Sequence, residues 1–373
     1  MSNRIVLSAN TSWYLYNFRR STINALVEQG YKVTCLSPKD DYSDKLISEL
    51  YVEWIPLNIH RHSTNPIKDL FLLYQFIHCY RKLKPIACLH YTIKNNIFGS
   101  IAAKITSCKV INNVTGLGTL FIKKSFATSI AVFLYKLSNV CSDIIFCQNP
   151  VDRDFLIKER LVSKEKLILI PGSGVDLNKF NPSQKEQRSN NFRFLYVGRM
   201  LRDKGVYELI DAFNSIDQSK TPSTLYLVGF IDTDSSASIS MEQIRNWTIQ
   251  NSNIVWVGHS DSMAKIYANC DCVVLPSYRE GLPRSLLEAG AMGLPSIASN
   301  VPGCSDVIIN GYNGLLCEVK NAEDLASRMV EISSMDSEAL NAIGINARNH
   351  VENKYDERIV VDATLNALNR VSS

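Results

Sequence analysis

Two basic residues follow a strand-like segment in the second half of the chain, and they are suited to binding a diphosphate. The segment FRFLYVG is followed by Arg199-Met-Leu-Arg-Asp-Lys204-Gly205, which leads into a helical pattern. Gly198 permits a tight turn where the strand ends. The guanidinium of Arg199 is a forked donor and the ammonium of Lys204 is a point cation, so together they match diphosphate oxygens. The alternative interpretation is an ordinary basic surface loop.

Two glutamates lie further along the chain, after another apolar strand-like run, CVVLP. Glu280 and Glu288 have seven residues between them. The pattern predicts Glu280 in a loop and Glu288 about one turn into a helix whose first turn contains a proline. The backbone N–H groups of Gly281 and Leu282 would then be available to an anion. The segment thus offers carboxylates for sugar hydroxyls and amides for phosphate. Two unrelated surface glutamates are the alternative.

The polar loop after the first predicted strand is another candidate binding element. Asn10, Thr11 and Ser12 have small polar side chains that can contact a diphosphate or an acceptor. The segment Gly116-Leu-Gly118 lacks the third glycine of a dinucleotide-binding fingerprint, so we interpret it as a loop that shapes the acceptor site.

We predict no metal site and no bound cofactor. Asp232-Thr-Asp234 has the spacing of a metal-binding pair, but it lies in a serine-rich loop. Arg199 and Lys204 already supply the positive charge that a metal would bring to a diphosphate. Both aspartates are therefore expected to be dispensable. The ten cysteines include no CxxC pair, and we expect them to be reduced core residues.

Short β-branched runs alternate with helical patterns along the whole chain. This alternation predicts parallel sheets covered by helices on both faces. There are two such series, so we expect an α/β protein with two Rossmann-like domains that face each other across a deep cleft. Ligands bind such sheets at the carboxyl ends of the strands. The predicted strands are Ile5–Ala9, Lys32–Ser37, Val52–Leu57, Ile86–Tyr91, Val110–Val114, Asp143–Gln148, Leu167–Pro171, Phe192–Gly198, Thr224–Gly229, Ile254–Gly258, Cys272–Pro276, Ser296–Ala298 and Gly314–Cys317.

The domain boundary is predicted from composition. We expect an N-terminal domain over residues 1–176, a linker over 177–191, a C-terminal domain over 192–355 and a helix over 356–373 that packs back toward the N-terminal domain. The linker prediction depends on a polar segment without periodicity, NKFNPSQKEQRSNN.

Composition and charge limit the class of protein. Of the 373 residues, 46% are hydrophobic and 20% are charged, which is typical of globular proteins and excludes disordered and fibrous classes. No apolar run reaches the roughly 18 residues of a spanning helix, and no signal peptide is evident, so we expect a cytoplasmic protein. Residues 1–175 contain 22 Lys and Arg against 12 Asp and Glu, whereas the remainder contains 18 against 24. The basic half indicates an anionic partner.

GRMLRDKG together with the E-x7-E spacing resembles the retaining glycosyltransferases of family 4, whose two-Rossmann-domain architecture is called GT-B. PGSGVDLNKFNP, LVGF, VWVGHSD and VPGCSDVIINGYNGLLCEV resemble further family elements in the expected order. SANTSWYLYNFRRSTINAL, YTIKNNIFGSIAAK and VTGLGTLF resemble a subgroup that extends bacterial capsule, O-antigen or protein-glycan units on a polyprenyl diphosphate carrier.

The resemblance implies roles for the candidate residues of the second half. Arg199 and Lys204 would bind the donor diphosphate and stabilise the departing nucleotide. Glu288 would bind the ribose hydroxyls, and Glu280 would contact the donor sugar.

The resemblance also concerns the rest of the donor site. Gly281 and Leu282 would offer amides to sugar or phosphate, and His259 would lie beside the nucleobase. Many family members have a histidine near the end of the fourth strand, close to the donor sugar. Here His90 is offset by a few residues, so we interpret it as a core histidine and take Lys94 as a candidate for that place. Which of the two occupies it is open.

A membrane element is predicted in the N-terminal half. The segment Phe121–Phe126, with Lys123 and Lys124, and the apolar helix after it resemble an interfacial element. An ordinary packed helix is the alternative. Because this half is basic, we expect peripheral binding to the anionic inner face of the cell membrane.

The sequence therefore predicts a retaining, metal-independent hexosyltransferase. It would move a sugar from a nucleotide-sugar donor, preferably a UDP-hexose or UDP-N-acetylhexosamine, to a lipid-diphosphate-linked saccharide, and it would bind no nucleic acid. One alternative is a two-Rossmann-domain UDP-sugar epimerase, whose acid and base residues we do not find. Another is a non-catalytic nucleotide-sugar sensor. The donor sugar, the acceptor, the linkage and the oligomeric state stay open.

Overall fold

The chain forms two compact units. The structure is a computed structural model that describes residues 3–60, 65–114, 126–184, 191–233 and 235–372. One unit consists of Met1–Ser173 with Arg358–Ser373, and the other consists of Gly174–Glu357. Each unit has one parallel sheet with helices around it, which confirms the predicted α/β class.

A seven-stranded parallel sheet forms the centre of the first unit. Its strands are β1 (Arg4–Ser8), β2 (Lys32–Ser37), β3 (Glu53–Pro56), β4 (Ala87–Tyr91), β5 (Lys109–Val114), β6 (Ile144–Cys147) and β7 (Leu167–Leu169). Their order in the sheet is β3-β2-β1-β4-β5-β6-β7. The order reverses between β1 and β4, and open α/β sheets bind ligands at such a point.

Helices cover both faces of this sheet. They are α1 (Ser12–Glu28), α2 (Ser43–Leu50), α3 (Pro66–Leu83), α4 (Ser100–Ile105), α5 (Phe126–Cys141) and α6 (Pro150–Lys158), with a π-helix, Asn95–Gly99, directly before α4. Alternate residues of β1 point to opposite faces. Ile5 and Leu7 join the core beneath α1 and α2, whereas Val6 joins the core beneath α3, α4 and α5.

The second unit contains a six-stranded parallel sheet. Its strands are β8 (Phe192–Val197), β9 (Ser223–Val228), β10 (Ile254–Gly258), β11 (Cys272–Leu275), β12 (Ser296–Ser299) and β13 (Gly314–Cys317). Their order is β10-β9-β8-β11-β12-β13, which reverses between β8 and β11. The helices that follow β8 are α7 (Val206–Ser215), α8 (Met241–Gln250), α9 (Met263–Ala268), α10 (Arg284–Ala291), α11 (Cys304–Val307), α12 (Ala322–Ser333) and α13 (Ser337–Lys354).

The last helix, α14 (Glu357–Ser372), belongs to the first unit from Arg358 onward. Its residues Val360, Ala367 and Leu368 are buried in the core that contains Ile5. The chain thus completes the first unit only with its final helix.

The boundary between the units falls before the predicted linker over 177–191. Phe180, within that segment, is buried in the core of the second unit. Its carbonyl accepts a hydrogen bond of 2.9 Å from Nη1 of Arg348 on α13. The described part of the segment is therefore integrated into the second unit, and the expectation of a simple spacer is wrong there. Composition does not reveal this, because most residues of the segment are polar and only a few apolar ones are buried.

The predicted elements and the observed ones agree closely in the strands and less closely in the helices. Each predicted strand is present, with ends that differ by at most two residues. The sequence pattern predicts the first helix over Phe18–Gln29. Helix α1 begins earlier, at Ser12, because Oγ1 of Thr11 accepts a hydrogen bond from the N–H of Tyr14 and caps it. The short helices α2, α6 and α11 were not predicted. Across the described ranges, every helix is too short or too polar to cross a lipid bilayer.

Candidate functional site

The loops that carry the predicted donor-binding residues meet at one edge of the second sheet. Strands β8 and β11 are adjacent and parallel, so their carboxyl ends lie side by side. The loop after β8 carries Arg199 and Lys204, and the loop after β11 carries Glu280. This is the point at which the strand order reverses, and it is the expected ligand-binding edge.

Two glycines allow these loops to pack backbone against backbone. Gly205 has φ of +70°, and a Cβ built on it would lie 2.0 Å from the carbonyl oxygen of Pro276. A Cβ built on Gly229, at the end of β9, would lie 1.8 Å from the carbonyl oxygen of Gly198. Only glycine fits at either position, because any other residue would overlap backbone atoms that cannot move away separately. The loops after β8, β9 and β11 are thereby fixed to one another.

Lys204 and Glu280 form a largely buried ion pair. The Lys204 Nζ is 2.6 Å from Oε1 of Glu280, and the side chains are only 18% and 12% exposed. The hydroxyl of Ser277 donates to the same carboxylate oxygen at 2.7 Å. A charge-assisted bond with a second donor fixes the orientation of the Glu280 carboxylate. The sequence suggested both residues separately, and the structure brings them together.

Arg199 is held by a carboxylate from the neighbouring loop. Its Nη1 lies 2.9 Å from Oδ2 of Asp232, which follows β9. Arg199 is half exposed and Asp232 is largely buried. Asp232 thus has a partner that the sequence analysis did not foresee. That it can be replaced without loss of turnover stays a prediction. Asp234 lies outside the described residues.

Glu288 accepts hydrogen bonds on both of its carboxylate oxygens. The Tyr267 hydroxyl donates to Oε2 at 3.0 Å, and Nε of Arg284 lies 2.9 Å from Oε1. Tyr267 is fully buried, and burial raises its pKa well above its ordinary value, so the phenol keeps its proton and remains a donor. Glu288 is consequently held in one orientation within the first turns of α10.

The segment before α10 lies against the loop that follows β12. Gly303 has φ of +84°, and a Cβ on it would lie 2.3 Å from the carbonyl oxygen of Gly281. Pro283 occupies the N-cap position of α10, just before the helix begins at Arg284. The amides of Gly281 and Leu282 have no hydrogen-bond partner within the ranges the structure describes. They are therefore available to an anion or a hydroxyl, and their contact with the donor stays a prediction.

His259 lies just after β10, in an open position. Its Nε2 is 3.3 Å from Oδ1 of Asp261, and its side chain is 49% exposed. The ring of Phe230 stands edge-on at 6.5 Å between centroids. An exposed imidazole beside an aromatic ring is suited to contact with a planar base. The position is therefore compatible with the nucleobase role, which stays a prediction.

The N-terminal loop uses its side chains within the fold of the first unit. Thr11 caps α1. Ser12 is fully buried, and its hydroxyl lies 2.7 Å from that of Ser37 and 2.9 Å from that of Ser43. The expectation that the side chains of Thr11 and Ser12 contact a ligand is therefore not supported by their positions. Asn10 is partly exposed and remains a candidate.

His90 and Lys94 have different environments at the end of β4. His90 is fully buried, with Nε2 2.8 Å from the Tyr80 hydroxyl and Nδ1 2.9 Å from Oδ1 of Asn112. Both ring nitrogens are thus occupied within the core. Lys94 lies directly before the π-helix Asn95–Gly99, and its Nζ is 2.6 Å from Oδ1 of Asp69 on α3. The core interpretation of His90 fits this geometry, and Lys94 remains the candidate for the site.

The burial of His90 predicts a pH-dependent stability. Burial lowers the pKa of His90 to about 4 from the ordinary 6.5. As pH falls from 6.5 toward 4, the unfolded chain binds a proton that the folded chain does not, so the free energy of unfolding decreases. Urea denaturation of wild type should show this decrease, and His90→Gln should show a smaller one. His259→Gln, at an exposed position, serves as the control. Equal pH slopes for His90→Gln and wild type would contradict the assignment.

Two sequence predictions fall outside the described residues. Gly116 and Gly118, the predicted acceptor loop, lie there. So do Lys123 and Lys124 of the predicted membrane element. Both therefore remain predictions from the sequence.

Several supporting residues were missed by the sequence analysis. Arg284 precedes Glu288 by one helical turn, a spacing that could have suggested the pair. Ser277 precedes Glu280 closely in the same loop. Tyr267 carries no sequence signal, because it lies on α9. Asp232 was noticed only for its spacing to Asp234, and its contact with Arg199 comes from a different strand–helix connection. Among the described residues, no three His, Cys, Asp or Glu side chains are grouped so as to hold a metal ion.

Two family models cover most of the chain. Residues 178–350 match the family described as glycosyl transferases group 1, and residues 4–149 match the one described as glycosyl transferase 4-like. The first match includes Arg199, Lys204, Glu280 and Glu288.

Similar proteins of known name are transferases. The chain is 29% identical to the N,N'-diacetylbacillosaminyl-diphospho-undecaprenol alpha-1,3-N-acetylgalactosaminyltransferase of Campylobacter jejuni, over 99% of each protein. It is 30% identical to the capsular polysaccharide biosynthesis glycosyltransferase CapM of Staphylococcus aureus, over 78% of each. It is 27% identical to the UDP-Gal:alpha-D-GlcNAc-diphosphoundecaprenol alpha-1,3-galactosyltransferase of Escherichia coli, over 86% of this chain and 83% of that one.

Solved structures share the fold. A glycosyltransferase from Rickettsia africae superposes with a TM-score of 0.80 at 18% identity, over 99% of this chain and 98% of that one. The Anabaena protein HepE, solved in complex with UDP and glucose, superposes with a TM-score of 0.79 at 18% identity, over 98% and 99%.

The two Rossmann-like units and these matches define a glycosyltransferase of GT-B architecture. The chain belongs to the family 4 retaining glycosyltransferases, the group 1 enzymes. This membership confirms the family resemblance read from the sequence. It favours a transferase over the epimerase alternative.

Proposed function

We propose that the enzyme transfers a sugar from a UDP-sugar to a saccharide on a polyprenyl diphosphate carrier, with retention at the anomeric carbon. The observation that carries this proposal is the arrangement at the edge of the second sheet. Arg199, Lys204, Glu280 and Glu288 all lie on the loops or helix that follow β8 and β11. Two cations for a diphosphate thus lie beside two oriented carboxylates for hydroxyl groups.

The cations in this site retain donors for a diphosphate. An ammonium has three N–H donors, and the described contact of Lys204 with Glu280 uses one of them. A guanidinium has five, and the described contact of Arg199 with Asp232 uses one. Both groups can therefore bind phosphate oxygens without leaving their carboxylate partners. Positive charge held in place before the reaction stabilises the negative charge that develops on the leaving nucleotide.

The carboxylates are proposed to bind the two ends of the donor. Glu288, held by Tyr267 and Arg284, is oriented for ribose hydroxyls. Glu280, fixed by Lys204 and Ser277, is oriented for the donor sugar next to the diphosphate. The acceptor hydroxyl attacks from the side of the leaving group, and its proton passes to a phosphate oxygen of the donor. This route requires no protein base, which is consistent with His90 being confined to the core.

The choice of substrates is supported by the named relatives. The E. coli relative is named for UDP-Gal, and the Anabaena structure contains UDP and glucose. The Campylobacter and E. coli relatives are both named for acceptors on diphospho-undecaprenol. We therefore propose a UDP-hexose or UDP-N-acetylhexosamine donor and an acceptor presented at a membrane surface, to which the enzyme binds peripherally.

Transfer assays test this function directly. Purified enzyme should move label from a UDP-hexose or UDP-N-acetylhexosamine to a short-chain polyprenyl diphosphate saccharide, with the anomeric configuration retained as seen by NMR. Conversion of the UDP-sugar without acceptor would identify an epimerase. Binding of UDP-sugars without any turnover across a panel of acceptors would identify a sensor.

Activity should not depend on a metal ion. Because Arg199 and Lys204 supply the positive charge for the diphosphate, turnover in excess EDTA should remain close to that of untreated enzyme. Rates are measured before and after chelation, with added Mn²⁺ as a parallel sample. Complete loss of turnover on chelation that Mn²⁺ restores would overturn the metal-free mechanism.

A further inference from the structure

Helix α3 has apolar side chains on the face that points away from the core. Leu72, Phe76 and other buried residues pack against the sheet of the first unit. On the opposite side, four large apolar residues are 51% to 75% exposed: Ile67, Leu70, Phe71 and Tyr74. Their spacing of three, four and seven residues places them on one side of the helix. We call these four residues the α3 stripe.

The same face of α3 becomes basic toward its C-terminal end. His78, Arg81 and Lys82 are exposed and continue the line of the α3 stripe by helical spacing. The helix thus presents apolar groups along its first half and positive groups along its second. An amphipathic helix lying in the plane of a bilayer has this combination of apolar insertion and contact with anionic headgroups.

The helices beside α3 share its charge. Helices α3, α4, α5 and α6 cover one face of the sheet, and together they contain seven Lys or Arg residues and three acidic residues. Asp69 is paired with Lys94 at 2.6 Å. On the other face, helices α1, α2 and α14 together contain five Lys or Arg residues and five Asp or Glu residues. The basic excess is therefore specific to the side of the unit that carries the α3 stripe.

A second row of exposed apolar residues lies in the same layer. Phe133, Leu137 and Val140 of α5 are exposed and are spaced by four and three residues. Helix α4 packs against both α3 and α5, so the three helices form one continuous layer. Apolar groups on two helices of a positively charged layer fit an extended anionic surface better than they fit a small ligand.

The α3 stripe also lies at the reactive edge of the first sheet. Helix α3 runs antiparallel to the strands it connects, so its N-terminal half lies at their carboxyl ends. The ion pair between Asp69 of its first turn and Lys94 after β4 places it there directly. A surface in this position would lie next to the loops predicted to receive the acceptor.

We propose that the α3 stripe inserts into the surface of an anionic phospholipid bilayer, with Arg81 and Lys82 contacting the headgroups. This inference rests on the proposed function, because it names the surface by which the enzyme meets a membrane-borne acceptor. Insertion would hold the acceptor edge of the first unit at the depth of the carrier diphosphate.

Vesicle binding tests the inference. Wild type should co-sediment with vesicles of phosphatidylcholine and phosphatidylglycerol at low salt, and less with phosphatidylcholine alone. The double variant Leu70→Glu with Phe71→Glu should lower the partition coefficient about tenfold or more, because two apolar groups are lost and two negative charges face an anionic surface. The matched control is Ile249→Glu with Ile345→Glu, two exposed helical positions of the second unit, which should bind as wild type does.

Three outcomes would overturn the inference. The first is that wild type does not bind anionic vesicles, and the second is that the stripe variant binds them as well as wild type does. The third is that wild type is a dimer and the stripe variant is a monomer, because the α3 stripe would then bind a second copy of the chain. Thermal melting checks folding, and Ile67→Ser with Tyr74→Ser replaces the first variant if that one does not fold.

Turnover of the stripe variant with a short-chain, water-soluble acceptor is measured separately and should equal that of wild type. Absence of any transfer to that acceptor by wild type would count against the proposed function, whereas the vesicle result alone decides the inference.

Discussion

Replacing Lys204 by alanine should lower kcat by at least about 100-fold, which is the size of effect seen when one donor to a developing anion is removed. The ammonium lies against the Glu280 carboxylate and is the more buried of the two cations. Arg199→Ala should have an effect of similar size, because the guanidinium is oriented by Asp232 toward the same edge. Rates are measured with saturating donor and acceptor, so that weaker substrate binding does not affect the comparison of kcat.

The control for both variants is Arg202→Ala. Arg202 lies between the two cations in the same loop, but its side chain is exposed and stacks on Tyr207, with 5.5 Å from its Cζ to the ring centroid. Its replacement should leave turnover near that of wild type. Lys204→Ala leaves Ser277 as the remaining described partner of Glu280. Thermal melting shows whether this variant still folds. Near-normal turnover in both Lys204→Ala and Arg199→Ala would refute the diphosphate assignment.

The two glutamates should fail in different ways. Glu288→Ala removes a group that would bind ribose, so affinity for free UDP and for the UDP-sugar should fall by a similar factor, about tenfold or more for a lost charged hydrogen bond. Glu280→Gln should leave the affinity for free UDP nearly intact and lower turnover instead. An interaction with the transferring sugar is expressed mainly in the transition state. Calorimetry with UDP and kinetics with the full donor separate the two effects.

Tyr267→Phe is a useful companion to Glu288→Ala. The phenol is buried and donates to Glu288, so its removal keeps the carboxylate but loosens its orientation. We expect a weaker loss of UDP affinity than in Glu288→Ala. Loss of UDP binding in Glu280→Gln, together with normal UDP binding in Glu288→Ala, would reverse the two assigned roles.

The sheets could be predicted from sequence because their signal is local. Lys32–Ser37 and Gly314–Cys317 are largely buried runs, and Ile254–Gly258 is an edge strand of alternating burial. The predicted and observed ends of all three coincide. Helix α2 was missed because it is a single short amphipathic stretch of eight residues. Helix α14 was expected as a helix, but its membership of the first unit depends on contacts with Ile5, which lies at the other end of the chain.

The site was predictable in its members and not in its contacts. Loop position after a strand, together with charge type, was enough to select Lys204 and Glu280. Their pairing joins residues that are 76 positions apart, and it depends on the adjacency of β8 and β11. The same limit applies to Asp232, which looked like part of a metal-binding pair and instead binds Arg199. For Ser12, local chemistry suggested a ligand, but the partners that occupy its hydroxyl come from a different loop.

The glycine contacts between the donor loops set a limit for engineering of donor specificity. Gly205 and Gly229 have no space for a methyl group, so libraries that vary these positions would be dominated by proteins that do not fold. The backbone of the diphosphate loop cannot vary, so altered preference for the sugar or the nucleobase has to come from side chains elsewhere in the site. Leu282 and His259 are partly exposed and tolerate change by this criterion. A small library at these two positions should yield folded enzymes at a far higher frequency than one aimed at the loop itself.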